Sequence, residues 1–192
     1  MAHRRGLMTL CAMFFMGLLM GSAPALAQGL PWNTDTLRRG DEVRAGVQHR
    51  TEDGVRRERL RFASPEEAKA WALETLADPG QGGKVLVEVR GKRAVRLTGQ
   101  GLEAPDKVRK ALQEAWGEER ADEAPELLAL RADRKVALFG SAVPQDPASK
   151  LPPDLQLDPQ AARPLQAVLE ERKVELPAPA PTSGFVDGLS PG

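Results

Sequence analysis

Apolar and polar positions alternate in three pairs of short segments along the chain, and a turn joins the two segments of each pair. In the first pair, Val43–Arg50 alternates in this way and Val55–Phe62 places Leu60 and Phe62 on one side. Such alternation is typical of a half-buried strand, and the intervening Asp53-Gly54 suits a tight hairpin. The same pattern returns in Val85–Val89 with Ala94–Leu97, and in Leu127–Arg131 with Lys135–Phe139. We therefore predict three β-hairpins.

Two amphipathic helices are predicted between the hairpins. The segment Ser64-Pro65-Glu66-Glu67 offers a capping serine, a proline in the first turn and the glutamate of a capping box. Apolar residues then recur at helical spacing until Asp78. The second helix begins at Pro105 and stops before Gly117, a residue typical of helix C-termini.

This order of elements predicts an α+β fold. The chain aligns with itself at shifts of 40 and 41 positions, which suggests a ββα-ββα-ββ pseudo-repeat. We expect a two-layer domain over residues 36–142, with an antiparallel sheet of three hairpins and both helices on one face. The other face of an antiparallel sheet can face water.

Segments of different composition flank this domain. Residues 28–35 form a short lead, and residues 143–176 are a Pro-rich extension with a short helix that begins near Pro164. The last residues, 177–192, begin with alternating proline and alanine and are predicted to be a disordered Pro-rich tail.

Residues 1–27 have the order of parts found in a bacterial signal peptide. Arg4 and Arg5 precede an apolar run from Leu7 to Met20, and Ala25-Leu26-Ala27 resembles a cleavage site. The apolar run has 14 residues, fewer than the roughly 20 that a membrane-spanning helix needs. We expect a cleaved, exported protein, periplasmic or secreted, without a transmembrane segment after cleavage. The general secretory and twin-arginine routes both remain open.

Cleavage changes the chemistry of the chain because all five methionines and the single cysteine lie within the first 27 residues. The mature part keeps one histidine, His49, and the chain has no tyrosine. Zinc sites draw on cysteine and histidine, and serine hydrolases need a histidine beside an exposed serine. We therefore predict no metal, no cofactor and no catalytic residue.

Charge is distributed unevenly along a chain that is nearly neutral overall. Removing Arg4 and Arg5 leaves 25 basic against 27 acidic residues. Residues 36–101 hold 14 basic and 10 acidic side chains, whereas residues 102–192 hold 11 and 16. Paired hairpins would gather basic residues of the first part on one sheet face, where they would attract an anionic polymer or an acidic protein. These candidate binding residues are Arg44, Arg56, Arg57, Arg59, Arg61, Arg90, Lys92, Arg93 and Arg96.

The sequence thus favours an exported, non-enzymatic binding or structural module of the bacterial envelope or secretome. The alternative is a small hydrolase of envelope glycan that uses only carboxylates, since acidic pairs such as Glu66 and Glu67 are frequent. In a third reading the hairpins pair edge to edge in an assembly. Nucleic acid is not expected as a partner, because no aromatic residues interleave with the arginines.

Overall fold

The computed structural model describes residues 31–39, 41–78, 83–117 and 123–178. The predicted signal peptide lies outside these residues, as does the predicted tail from residue 179 onward. None of the helices in these four ranges has the length and apolar character that a membrane crossing requires.

The described chain contains eight strands and three α-helices, and the predicted α+β class is confirmed. The strands are β1 (Asn33–Arg39), β2 (Glu42–Glu52), β3 (Val55–Phe62), β4 (Lys84–Arg90), β5 (Arg93–Thr98), β6 (Leu127–Ala132), β7 (Lys135–Phe139) and β8 (Gln156–Leu157). The α-helices are α1 (Pro65–Thr75), α2 (Pro105–Trp116) and α3 (Gln166–Glu171). Short 3₁₀ segments cover Gln100–Glu103, Ala148–Lys150 and Pro159–Leu165.

All eight strands belong to one sheet, in the order β1-β2-β3-β5-β4-β6-β7-β8. The three predicted hairpins are β2–β3, β4–β5 and β6–β7. Neighbouring strands run antiparallel except β7 and β8, which are parallel, so the sheet is mixed. The edge strands β1 and β8 were not predicted.

The prediction of both helices on one face is wrong. Alternate residues of β4 point to opposite sides, and they contribute to two different cores. Val85 and Val87 pack in the same core as Trp71 of α1, whereas Leu86 packs in the core that contains Leu112 of α2. The sheet therefore has an α1 face and an α2 face, and a helix covers each.

The physical reason for this correction is the handedness of the two crossovers. The connection from β3 through α1 to β4 passes over β5, and the connection from β5 through α2 to β6 passes over β4. Both move in the same direction across the sheet, but they start from strands that are antiparallel to each other. Because such crossovers are almost always right-handed, the two helices must lie on opposite faces.

Local signals at the start of α1 act as predicted. The Ser64 hydroxyl oxygen accepts a hydrogen bond from the Glu67 N–H at 3.1 Å, and Pro65 occupies the first turn. Glu67 in turn accepts from the Ala63 N–H at 3.2 Å. These contacts satisfy backbone donors that have no partner within the helix.

The Pro-rich extension packs against both faces of the sheet. Leu151 and Leu155 join the core on the α1 face. After β8, the chain passes to the other side, where Leu165, Val168 and Leu169 are buried in the core beneath α2. The extension therefore wraps around the β7–β8 edge of the sheet.

A glycine at the end of β5 allows the chain to pass close to the first hairpin turn. Gly99 has φ +117°, and a Cβ added there would overlap the carbonyl oxygen of Gly54. We expect Gly99→Ala to lower the free energy of unfolding by about 3 kcal/mol or more, from backbone strain and overlap together. Urea denaturation measures the loss.

Gly91→Ala is the matched control for this substitution. Gly91 also has a positive φ, +54°, but an added Cβ would meet nothing within 4 Å. Its substitution should cost only about 1–2 kcal/mol, the penalty for a left-handed residue with a side chain. Equal losses for Gly99→Ala and Gly91→Ala would contradict the proposed close approach.

Candidate functional site

A cleft of about 530 Å³ opens on the α2 face, where α2 ends and the sheet continues beyond it. Its floor is formed by β1, β2, β3 and β5, and its wall by the C-terminal end of α2. The cleft is lined on the α2 face by Thr34, Gly46, Gln48, Arg59, Arg61, Arg93, Val95, Ala115, Trp116 and Gly117.

Strand register places these residues in two rows across the sheet. One row runs from Thr34 through Gln48, Arg59 and Val95 to Glu88. The next row runs from Thr36 through Gly46, Arg61 and Arg93 to Arg90. Because side chains alternate between faces, residues of both rows point to the α2 side.

The nine candidate basic residues are divided between the two faces of the sheet. Arg57, Arg59, Arg61, Arg90 and Arg93 lie on the α2 face, as the register with the core residues Val55, Leu86 and Val95 requires. Arg56 and Arg96 belong to the α1 face. Arg44 contacts Glu74 of α1 at 2.7 Å. Lys92 lies in the β4–β5 turn, just before β5. The hairpins do pair, through β3 and β5, but alternation sends their arginines to both sides.

Several of these arginines are held by carboxylates within the fold. Arg56 and Arg96 contact the two oxygens of the Glu58 carboxylate at 2.8 and 3.0 Å. Arg90 pairs with Glu88, a fully buried carboxylate, and its guanidinium lies 4.7 Å from the centre of the Trp116 ring. These three cations therefore serve the interior of the protein or its surface ion pairs.

Arg57 is buried completely and belongs to an ion network beneath α2. It lies 3.2 Å from Glu52 and 3.5 Å from Glu114, and Arg50 contacts the same two carboxylates. A buried charge is costly unless it is paired. The network therefore explains how the first hairpin can carry so much positive charge beneath a helix.

Arg59 lies at the boundary between this network and the cleft. Its guanidinium is 3.9 Å from the centre of the Trp32 ring and donates a hydrogen bond to the carbonyl of Glu114 near the end of α2. Burial, together with the charge of Arg50, lowers the pKa of the Arg59 guanidinium. Its Nε is buried and has no hydrogen-bond partner in the described part of the chain.

Arg61 and Arg93 form the most unusual pair of the cleft. They are directly opposite each other on β3 and β5, with Cα atoms about 5 Å apart as in any antiparallel pair. Both side chains are exposed, and neither makes a hydrogen bond or an ion pair with another described residue. Like charges in this arrangement destabilise a sheet.

The remaining lining residues offer neutral hydrogen-bonding groups and space. Thr34 and Gln48 are exposed, and a Cβ added to Gly46 would meet nothing within 4 Å. Sequence reasoning missed these three residues. Alternation through Ala45 and Val47 assigns Gly46 and Gln48 to the opposite face, but nothing in the sequence of the lead indicated that Thr34 lies on a strand.

Acidic and metal-binding groups are not gathered in this cleft. Its described lining contains no aspartate, glutamate or histidine. His49 on β2 lies directly opposite Glu58 on β3 in the strand register, and it therefore belongs to the other, α1 face. Throughout the described ranges, no group of three histidine, cysteine, aspartate or glutamate side chains could hold a metal ion.

The ion network extends to the surface at the first hairpin turn and makes stability depend on pH. Lys110 of α2 contacts Glu52 and Asp53, each at 3.2 Å. The hydrogen bond from Lys110 is the main cause that lowers the pKa of both carboxyl groups below their ordinary values of 4.5 and 3.8. The stabilisation is present above these ordinary values, where the unfolded chain is also ionised, and is lost as the pH falls through the lowered pKa values.

We therefore expect the free energy of unfolding to decrease below pH 4.5. In Lys110→Met the decrease should be smaller, because the variant already lacks, at neutral pH, the stabilisation that Lys110 gives through Glu52 and Asp53. Urea denaturation at a series of pH values measures it. Lys92→Gln, whose amino group contacts no described carboxylate, is the control. Identical pH profiles for Lys110→Met and the control would show that Lys110 does not set this dependence.

Comparison with known proteins adds no assignment to this geometry. Neither a protein-family model, nor a curated protein sequence, nor a solved structure matches the chain.

Proposed function

We propose that this protein is an exported, non-enzymatic binding module of the bacterial envelope or secretome, and that it holds an anionic ligand in the cleft at the end of α2. Arg61, Arg93 and Arg59 supply the positive charge, while Thr34 and Gln48 supply neutral hydrogen bonds.

The observation that carries this proposal is the Arg61–Arg93 pair. Two cations opposite each other, with no described carboxylate in contact, are unfavourable in the free protein. A carboxylate, sulfate or phosphate between them would turn repulsion into two charge-assisted hydrogen bonds. Guanidinium groups are well suited to this because their planar forks match such oxyanions.

The size and the lining of the cleft also support binding. Its volume of about 530 Å³ is within the range of about 300–1,000 Å³ that is common for small-ligand sites. The buried Nε of Arg59 offers a further donor without a described partner. Val95 and Ala115 add apolar surface beside the charged groups.

The alternative of a carboxylate-dependent hydrolase receives less support from the geometry. Glycoside hydrolysis needs two carboxyl groups on opposite sides of the scissile bond, with a raised pKa for the acid. The described lining of the cleft holds no carboxyl group. Glu126, near Arg93, has a lowered pKa because Lys69 and the Gly91 N–H donate hydrogen bonds to it.

The place of action rests on the predicted signal peptide, residues 1–27. An exported module with a basic cleft would meet the anionic polymers and acidic proteins of the envelope or the medium.

The proposal is tested with small oxyanions and NMR spectroscopy of the mature protein. Galacturonate, sulfate and inorganic phosphate are titrated separately, and arginine Nε–H signals are followed. We expect shifts at Arg59, Arg61 and Arg93 with at least one of the anions. Arg61→Gln combined with Arg93→Gln should weaken that binding about tenfold or more, since a hydrogen bond to a charged group contributes about 1.5–3 kcal/mol.

Arg56→Gln is the matched control, because Arg56 lies on the same strand but on the other face and pairs with Glu58. It should leave the titrations unchanged. The proposal is wrong if no anion shifts the cleft signals, or if the double variant binds as well as the control.

A further inference from the structure

A second cleft, of about 350 Å³, lies beside the first on the same face of the sheet. Arg61 and Arg93 line both clefts. The second cleft continues to the β4–β5 turn, where Gly91 and Lys92 are among its lining residues. The two clefts therefore form one trench, with the Arg61–Arg93 pair in the middle.

The lining of the trench spans five strands. Its central row passes from Gly46 on β2 through Arg61 and Arg93 to Arg90 on β4, and Thr34 extends the first cleft to β1. Five strands at a spacing of about 4.8 Å give an extent of roughly 19 Å across the strands. This is longer than a single sugar ring or one small anion.

Positive charge is concentrated in the part of the trench that lies over β3, β5 and the β4–β5 turn. Arg59 lies in the first cleft, two residues before Arg61 on β3, and the Arg61–Arg93 pair lies at the junction. Lys92 precedes Arg93 in the β4–β5 turn, so the three cationic places follow one another along β3 and β5 over roughly 10 Å of backbone. The Lys92 amino group is exposed and contacts no described carboxylate. A ligand with anionic groups at intervals would meet a cation at each of these three places.

Acidic residues in the second cleft are already engaged. Glu126 accepts the Gly91 N–H at 2.8 Å and lies 3.0 Å from Lys69. Glu123 lies 4.0 Å from Arg90. They therefore leave Lys92 and the Arg61–Arg93 pair available for a ligand.

The surroundings of the trench favour a polysaccharide over a peptide or a nucleic acid. The backbones of β2, β3 and β5 are paired on both sides, so a peptide over this face cannot be added as a strand. Bases would need exposed rings on which to stack. Trp116 is only 8% exposed beneath Arg90, and Arg59 and Arg50 lie over Trp32. Charge and hydroxyl hydrogen bonds remain as the means of recognition.

We propose that the ligand is a linear anionic polysaccharide that crosses both clefts, with its anionic groups at Arg59, at the Arg61–Arg93 pair and at Lys92. This inference rests on the proposed function and names its ligand class.

The test measures how affinity depends on ligand length. Galacturonate oligomers from the monomer to the octamer are titrated into the mature protein by calorimetry at one ionic strength. Affinity should rise with length and level off once the oligomer reaches Lys92. Lys92→Gln should weaken octamer binding about three- to fivefold, as for one exposed ion pair, and leave monomer binding unchanged. Arg56→Gln is again the control.

The outcomes separate this inference from the proposed function. If monomer and octamer bind equally, or if Lys92→Gln leaves octamer binding unchanged, the polysaccharide inference is wrong while anion binding at Arg61 and Arg93 stands. If hexaglutamate or an oligodeoxythymidylate binds more tightly than the octamer, the ligand class is wrong. If no oxyanion of any size binds, both proposals fail.

Discussion

The antiparallel pairing of β3 with β5 is the constraint on which the rest of the structure depends. It joins the first two hairpins into one sheet and makes the two crossovers start in opposite directions. Right-handed crossovers then require α1 and α2 on opposite faces. Both faces of the central strands are therefore buried, which explains why β4 is buried at every position after Lys84. The cleft exists because α2 covers its face only as far as Gly117.

Because both faces of the central strands are buried, the arginines fall into two groups: those paired with carboxylates beneath a helix and those exposed beyond its end. A cation beneath a helix must have a partner, and Arg57 and Arg90 each have a carboxylate close by. Beyond the end of α2 the same strands are open to solvent, and water can solvate a cation there that has no carboxylate partner. Arg61 and Arg93 are in that position, which distinguishes them from the basic residues that serve the interior. The candidate site is thus the place where the arginine-rich strands emerge from beneath the helix.

Much of the fold could be predicted because its signals are local. The capping contacts of Ser64 and Glu67 depend on residues three or four positions apart, and each hairpin depends on alternation over a few residues. Strand β1 could not be predicted in this way, since Asn33–Arg39 is polar at nearly every position and is stabilised by its pairing with β2. The candidate site was predicted in part. Arg59, Arg61 and Arg93 were among the expected residues, but Thr34, Gln48 and Trp32 were not.

The sequence by itself determined the three hairpins, the helices α1 and α2, the order of these elements and the presence of an arginine-rich first part. These properties follow from the spacing of apolar and polar residues along the chain, and that spacing does not depend on contacts with distant residues. Only the tertiary structure decided which face each helix covers, which arginines are paired and which remain in an open cleft. Those outcomes depend on the strand order and on the handedness of the crossovers, which bring together residues such as Arg59 and Trp32 from different strands and segments. Alternation alone assigns Arg61 and Arg57 to the same face of β3. Their surroundings differ because α2 covers Arg57 but ends before it reaches Arg61.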